Sequence, residues 1–407
     1  MKIFNISLFV ILLWLGVLPS NAQINSSGHV NTINTIVGHP VYLYSDLSSG
    51  ELSVASHAET NVQYVWYKYE GGWNQIQSGN SEVLNTPLEE KGYRVVITQE
   101  GTIVNEFVCW VFKPEVISAD IETTTFTCKV LQQRVVNAVT KQLTYYDLSS
   151  GAPATLPYEF TYSWTSVPAG DIEGKTDEAP SIESPFENTN YTVTVSAFGG
   201  ASTINVSNEI NAIAVKADFT LDIQDRNYKN EVQDVESYNC SLPVFLNMTN
   251  DSKGTYNDFS WNVYLEGLEE DGISLEKYDP TYDLPDPGKY FVRLTFSNSD
   301  CSDFMEKGPI TAQEMDIQAP NVFTPDGDNT NEVFYVVYHS VKTFKMTIVN
   351  RWGRKVFSTT NPKDGWDGKI NGKKAAEGVY FYYIEAEGYN KGEHMELKNA
   401  LHLIRGK

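Results

Sequence analysis

The chain has 407 residues, a formal net charge of −22 and a sequence pI near 4.6. Binding to nucleic acid or to anionic membrane surfaces needs clustered Lys and Arg, so an acidic balance of this size argues against both as partners. Tyr (24) and Phe (19) are plentiful, Gly and Asn punctuate short runs, and no long amphipathic helical stretch is visible, which predicts an all-β chain of several domains.

Residues 1–22 have the layout of a secretory signal peptide. Lys2 precedes an apolar run from Ile6 to Leu18, and the small-residue stretch Ser20-Asn21-Ala22 follows, with cleavage expected after Ala22. The run is shorter than the ~20 residues a spanning helix needs. The mature chain is therefore expected to enter an oxidising, extracytoplasmic compartment.

From there to about residue 317 the sequence repeats. Tyr64-Val65-Trp66, Tyr162-Ser163-Trp164 and Phe259-Ser260-Trp261 mark one recurring strand, with the tryptophans 98 and 97 residues apart. Tyr93, Tyr191 and Tyr290 mark a second strand, 98 and 99 residues apart. Asp46-Leu-Ser-Ser-Gly50 returns as Asp147-Leu-Ser-Ser-Gly151. Two independent markers at one period indicate an array of like units. A unit near one hundred residues, with a Trp on a central strand and a Tyr on a later one, has the form of an immunoglobulin-like sandwich. The indole fills the space between two sheets, and the phenol packs its ring inward while its hydroxyl bonds backbone at a strand corner. Three Ig-like sandwiches are expected, at 23–115, 116–216 and 217–317; the units also resemble the PKD-like modules of bacterial surface proteins. Trp66, Trp164, Trp261, Tyr93, Tyr191 and Tyr290 are expected in their cores rather than as sugar-stacking platforms. Trp73 sits in a glycine-bearing turn without counterpart in the other units, and with Tyr67 and Tyr69 is a candidate exposed aromatic.

Four cysteines allow three pairings, and no two lie two to four residues apart as a zinc site would need. Cys109 closes the first unit and Cys128 opens the second, while Cys240 and Cys301 lie early and late in the third. The expected bonds are Cys109–Cys128 and Cys240–Cys301.

From residue 318 the character changes. Residues 319–407 carry 13 Lys and Arg against 10 Asp and Glu, a balance of +3, which leaves 17 against 42, or −25, for residues 1–318. Strand-like runs Lys345–Val349 and Gly378–Ile384, with the turn dipeptides Asp364-Gly365, Asp367-Gly368 and Asn371-Gly372, predict a smaller fourth β-sandwich. The elements Pro320-Asn321-Val322-Phe323-Thr324-Pro325, Gly327-Asp328, Asn350-Arg351-Trp352-Gly353, Gly365-Trp366-Asp367-Gly368 and Gly378-Val379-Tyr380 resemble the gliding-motility-associated C-terminal domain of Bacteroidetes, the type B sorting domain of type IX secretion. The resemblance implies export through the type IX translocon, display at the cell surface or release outside the cell, and a partner among PorP/SprF-type outer-membrane proteins. The chain departs from the family at Asp326-Gly-Asp328-Asn-Thr-Asn331-Glu332. Oxygens of Asp326, Asp328 and Asn331 could gather around calcium, although the EF-hand pattern fails and Asx residues also cap turns without a metal. No other cofactor is expected.

No catalytic constellation is evident. His29, His39, His57, His339, His394 and His402 are scattered, neither GxSxG nor HExxH occurs, and the acid runs Glu89-Glu90 and Glu269-Glu270-Asp271 have the form of solvated loops. The expectation is a non-enzymatic adhesin or scaffold with an extracellular protein or glycan as ligand. The alternatives are a glycan-binding accessory module and a component that stays with the secretion or gliding machinery.

Overall fold

A computed structural model describes residues 23–35, 38–57, 60–226 and 228–406. The signal-peptide reading lies outside these residues. The described chain is built of strands, with 3-10 turns at Leu47–Ser49 and Glu269–Asp271, and no helix among the described residues is long and apolar enough to cross a membrane.

The chain divides into two compact units. The first holds the described residues through Phe126 with Val130–Glu183 and Thr189–Ile210; the second holds Thr127–Lys129, Ser184–Asn188 and the described residues from Asn211 on. In the first unit a six-stranded sheet contains Val62–Tyr69, Gly92–Gln99 and Thr102–Phe112, with Trp66 opposite Val95. Its inner face buries Tyr44, Trp66, Tyr93, Ile97 and Cys109 against Leu52 and Leu84. Its other face carries Val41, Leu43, Trp110 and Phe112 into a shared core with Leu143, Tyr145, Leu156 and Phe198 of the following sandwich. Strict alternation makes this possible, because residues 109 and 111 point one way and 110 and 112 the other. That following sandwich packs a three-stranded sheet centred on Val130–Thr140 against Thr161–Val167, Thr189–Ala197 and Ser202–Ile210, around Trp164, Tyr191 and Val193.

In the second unit a five-stranded sheet containing Gly288–Ser297 faces a three-stranded one, with Trp261, Val292 and Leu294 between them. The tail domain follows as a five-stranded sheet, with Gly378–Glu387 between Thr343–Asn350 and His394–Leu403, and a two-stranded piece, Asp316–Gln318 with Val337–His339. All six repeat markers are buried, as a sandwich core requires. The corner hydroxyls of the first and third sandwiches are in place. The Glu89 N–H donates to Tyr93 Oη at 2.7 Å, and Tyr290 Oη donates to the Asp286 carbonyl at 3.0 Å, four residues back in both cases.

The disulfide pairing differs from the expectation. Cys128 bonds Cys301 with Cα atoms 5.6 Å apart, and Cys109 and Cys240 are buried free thiols. Cys109 points into the first sandwich's core, whereas Cys128 lies in the turn Thr127–Lys129, which belongs to the second unit. Cys240 pairs in register with Ala312, at the far end of the strand Ser302–Ala312 that Cys301 precedes. That length of strand separates the two on the order of 30 Å, far beyond the ~7 Å a disulfide can bridge. Burial pushes the Cys109 thiol well above its ordinary range and that of Cys240 up to about 11.

Candidate functional site

The motif residues of the tail domain divide into those that build its core and those it holds in solvent. Phe323 lies on Val322–Phe323, which runs parallel to His394–Leu403, with the His402 N–H on the Asn321 carbonyl at 2.8 Å; Pro320 just before it is exposed. The Phe323 ring meets Trp366 at 5.4 Å, and Trp366 meets Tyr380 edge-on at 4.9 Å. Trp366 is enclosed, and its indole N–H donates to the Lys369 carbonyl at 2.9 Å. Gly365 is required by closeness, since a Cβ there would stand 2.7 Å from the Phe334 carbonyl oxygen. Gly368 has φ +70°, and a Cβ there would press on buried Pro325 at 2.9 Å. Asp367 accepts from the Lys369 ammonium at 2.8 Å and its backbone N–H at 3.0 Å, which holds the carboxyl below the usual range. Gly378 opens the central strand, and Tyr380 Oη donates to the Ala376 carbonyl at 2.8 Å. The tail domain thus repeats the four-residue tyrosine corner of the first and third sandwiches. The 98-residue period could not signal it, because the period stops before the tail.

Arg351 and Trp352 are different. Asn350 Oδ1 accepts from the N–H groups of Trp352 (3.1 Å) and Arg354 (3.0 Å), and Gly353 takes φ +77°, so an Asx-type turn closes the hairpin between Thr343–Asn350 and Lys355–Thr359. That turn leaves Trp352 74% exposed with the Arg351 guanidinium over its ring at 4.3 Å. Nothing in the domain's packing calls for an indole there. On the outward face of the adjacent strand Val379, Phe381 and Tyr383 are also exposed, with Val349 opposite Phe381.

The acidic loop is a self-bonded turn. The Thr324 N–H donates to the Asn331 carbonyl at 3.0 Å, the Thr330 N–H to Asp328 Oδ1 at 2.7 Å, and the Gly327 and Asn329 N–H groups to Glu332 Oε1. Carboxylate oxygens of Asp326, Asp328 and Glu332 lie within 4.8 Å of one another. Asn331 contributes a positive φ and its backbone carbonyl; the third acid of the cluster is Glu332. Such oxygens suit a hard divalent cation, and several of them already accept backbone N–H groups.

In the first unit Tyr67, Tyr69 and Trp73 are half-buried on the outward face of the six-stranded sheet. Tyr69 contacts Trp73, Trp110 and Tyr146 at 5.3, 5.6 and 5.0 Å, which draws it into the core shared with the following sandwich. The Arg94 guanidinium lies over Tyr67 and Trp73 at 5.5 and 5.8 Å and pairs with Glu106. The two Asp-Leu-Ser-Ser-Gly motifs are Asp-capped turns. Asp46 accepts from the Ser48 N–H, and Asp147 from the hydroxyl and N–H of Ser149 and the hydroxyl of Ser150, which holds the Asp147 carboxyl down at about 2. In the acid run Glu89-Glu90, Glu89 pairs with Lys68 and Glu90 with Lys141, at 2.9 and 2.7 Å.

No curated protein matches the chain. Among solved structures it is similar to the N-terminal four Ig domains of Dscam1 isoform 4.44 (11% identity, 95% of this chain and 100% of that one, TM-score 0.23). It is also similar to three N-terminal domains of the bacteriophage RB49 highly immunogenic outer capsid protein (13% identity, 95% and 99% covered, TM-score 0.24). Superposition at these scores carries no residue correspondence. Residues 317–401, the tail domain described above, match the CHU_C type IX secretion signal domain, so the chain carries a type IX sorting domain that directs it to the cell surface or the extracellular space.

Proposed function

We propose that the protein is a non-enzymatic adhesin or scaffold, carried outside the cell by its sorting domain and presenting Ig-like sandwiches there. The observation that supports this reading is where the repeat aromatics go. Trp66, Trp164 and Trp261, with their tyrosines, are taken up in three cores of one design, so the repeated part of the sequence specifies sandwiches and leaves their loops and faces to meet a ligand. Surface shaving of intact cells followed by crosslinking and mass spectrometry tests it. The reading fails if the chain stays in the periplasm or is recovered without an extracellular partner.

The exposed Arg351–Trp352 turn supports a contact between the sorting domain and a PorP/SprF-type outer-membrane protein. Trp352→Ala should fold normally and lower surface display several-fold, and unchanged display would remove this contact. A glycan-binding role for the first sandwich is favoured by one feature, the grouping of Tyr67, Tyr69 and Trp73 on one sheet face. Binding to a glycan array that survives Trp73→Ala would set it aside.

A further inference from the structure

In the third sandwich a long connection joins Phe219–Ile223 to Val244–Asn250, and its described residues form one strand, the two-residue Asn239–Cys240. Most sheet connections are far shorter, and a long one inside a compact domain generally has a task. Here it reaches the sorting domain. The Val232 N–H donates to the Tyr338 carbonyl at 2.8 Å, and the Tyr338 N–H donates to the Asn230 carbonyl at 3.0 Å. Glu231 thereby bridges Tyr338 as a parallel partner, while Val337–His339 pairs with Asp316–Gln318 along its other edge. Asn230 is buried, and its carboxamide donates to the carbonyls of Val336 at 2.7 Å and Pro362 at 2.9 Å.

The rest of the seam is equally specific. Ser241 Oγ accepts from the Ser340 N–H at 2.8 Å, and Ser340 Oγ accepts from the Leu242 N–H at 3.0 Å, with both serines buried. Behind them Arg226 and Glu231 form a buried ion pair; the guanidinium also donates to the Ser241 and Pro243 carbonyls, and Ser241 Oγ donates to Glu231 at 2.6 Å. Lys229 lies over Tyr335 and Lys363 over Tyr228, so each side supplies a cation to the other's ring. That ion pair and its partners hold the connection in shape, while Asn230, Ser241 and Leu242 make the bonds across to the sorting domain, so removing one side would leave the other's polar groups unpaired.

The dependence runs toward the sorting domain. Its two-stranded piece has three residues per strand, yet it supplies Ile317 and Tyr338 to the domain's core. A ribbon of that size is marginal alone, and an uncovered edge strand invites wrong pairing. We propose that residues 228–243 of the third sandwich, with Arg226, are a working part of the sorting signal: they cover the sorting domain's two-stranded piece through the bridge at Glu231 and the polar seam, and export requires the joined pair of domains. This rests on the type IX reading of residues 317–401.

The test uses the full-length chain with the sorting domain's sequence untouched. Asn230→Ala removes the two side-chain hydrogen bonds, and Val232→Pro, at an exposed side chain, removes the N–H bonded to Tyr338. Tyr290→Phe serves as a control that costs the third sandwich one hydrogen bond away from the seam. Hydrogen exchange on the purified chains should show the Tyr338 and Ser340 amides exchanging roughly tenfold faster in both seam variants. Their surface fraction on cells should fall several-fold, while Tyr290→Phe stays at the wild-type level. The proposal is overturned if either seam variant loses that protection and still reaches the surface like wild type, or if both leave the two amides protected. If the wild-type chain is displayed in a strain lacking the type IX translocon, the type IX reading itself fails instead.

Discussion

The third sandwich and the sorting domain both enclose a tryptophan and close a tyrosine corner. Trp261 donates to the Tyr278 carbonyl and Trp366 to the Lys369 carbonyl; Tyr290 bonds back to Asp286 and Tyr380 to Ala376. They part over a further tryptophan. The sandwich has none, whereas the sorting domain fixes Trp352 in solvent on an Asn350-capped turn beneath Arg351. Where the fold places it, rather than residue type, decides whether an indole is enclosed, as Trp366 is at its bridge to Phe334, or held in solvent, as Trp352 is on its turn.

The two kinds of tryptophan give the widest contrast. Trp366→Ala removes an enclosed indole and should destabilise the second unit by about 3–5 kcal/mol. Trp352→Ala should stay within about 0.5 kcal/mol of wild type in the same denaturant titration. Equal losses would mean that the turn is structural. Cys301→Ser comes next, because the Cys128–Cys301 bond closes a sequence separation of 173 residues. The expected cost is about 2–5 kcal/mol, and the chain-entropy account gives about 5 kcal/mol for a loop of this length. Non-reducing peptide mapping should join 128 to 301, and Cys109 and Cys240 should be alkylated only after unfolding. Tyr380→Phe and Tyr290→Phe should each cost about 1 kcal/mol, the net worth of one hydrogen bond. Clearly unequal costs would show that the two corners are not equivalent.

A weaker, electrostatic effect sets the repeated turn of the first unit against the tail's Asp367. Serine hydroxyl and N–H donors hold the folded Asp147 carboxyl at about 2, below the ~3.9 of an unfolded aspartate. Any stabilisation from this turn is therefore present above pH ~4 and is lost as pH falls toward 2. NMR titration of the Asp147 carboxyl should give that low midpoint, and Ser149→Ala should raise it. For Asp367 the depression comes first from Lys369, so Lys369→Ala should raise that midpoint instead.

Strand content, the repeat and the sorting domain were all legible in the amino-acid sequence. Alternation, turn dipeptides and fixed spacings are local, so Trp66, Trp164, Trp261 and the tail motifs could be placed without coordinates. The disulfide was not, because Cys240 and Cys301 share a domain yet sit at opposite ends of one long strand. Folding in three dimensions also drew Tyr69 into a core shared by two sandwiches and put Glu332 beside Asp326 and Asp328. The seam at Asn230 was out of reach for the same reason. Asn230 and its partner Val336 lie 106 residues apart along the chain, and nothing in the spacing of either segment names the other.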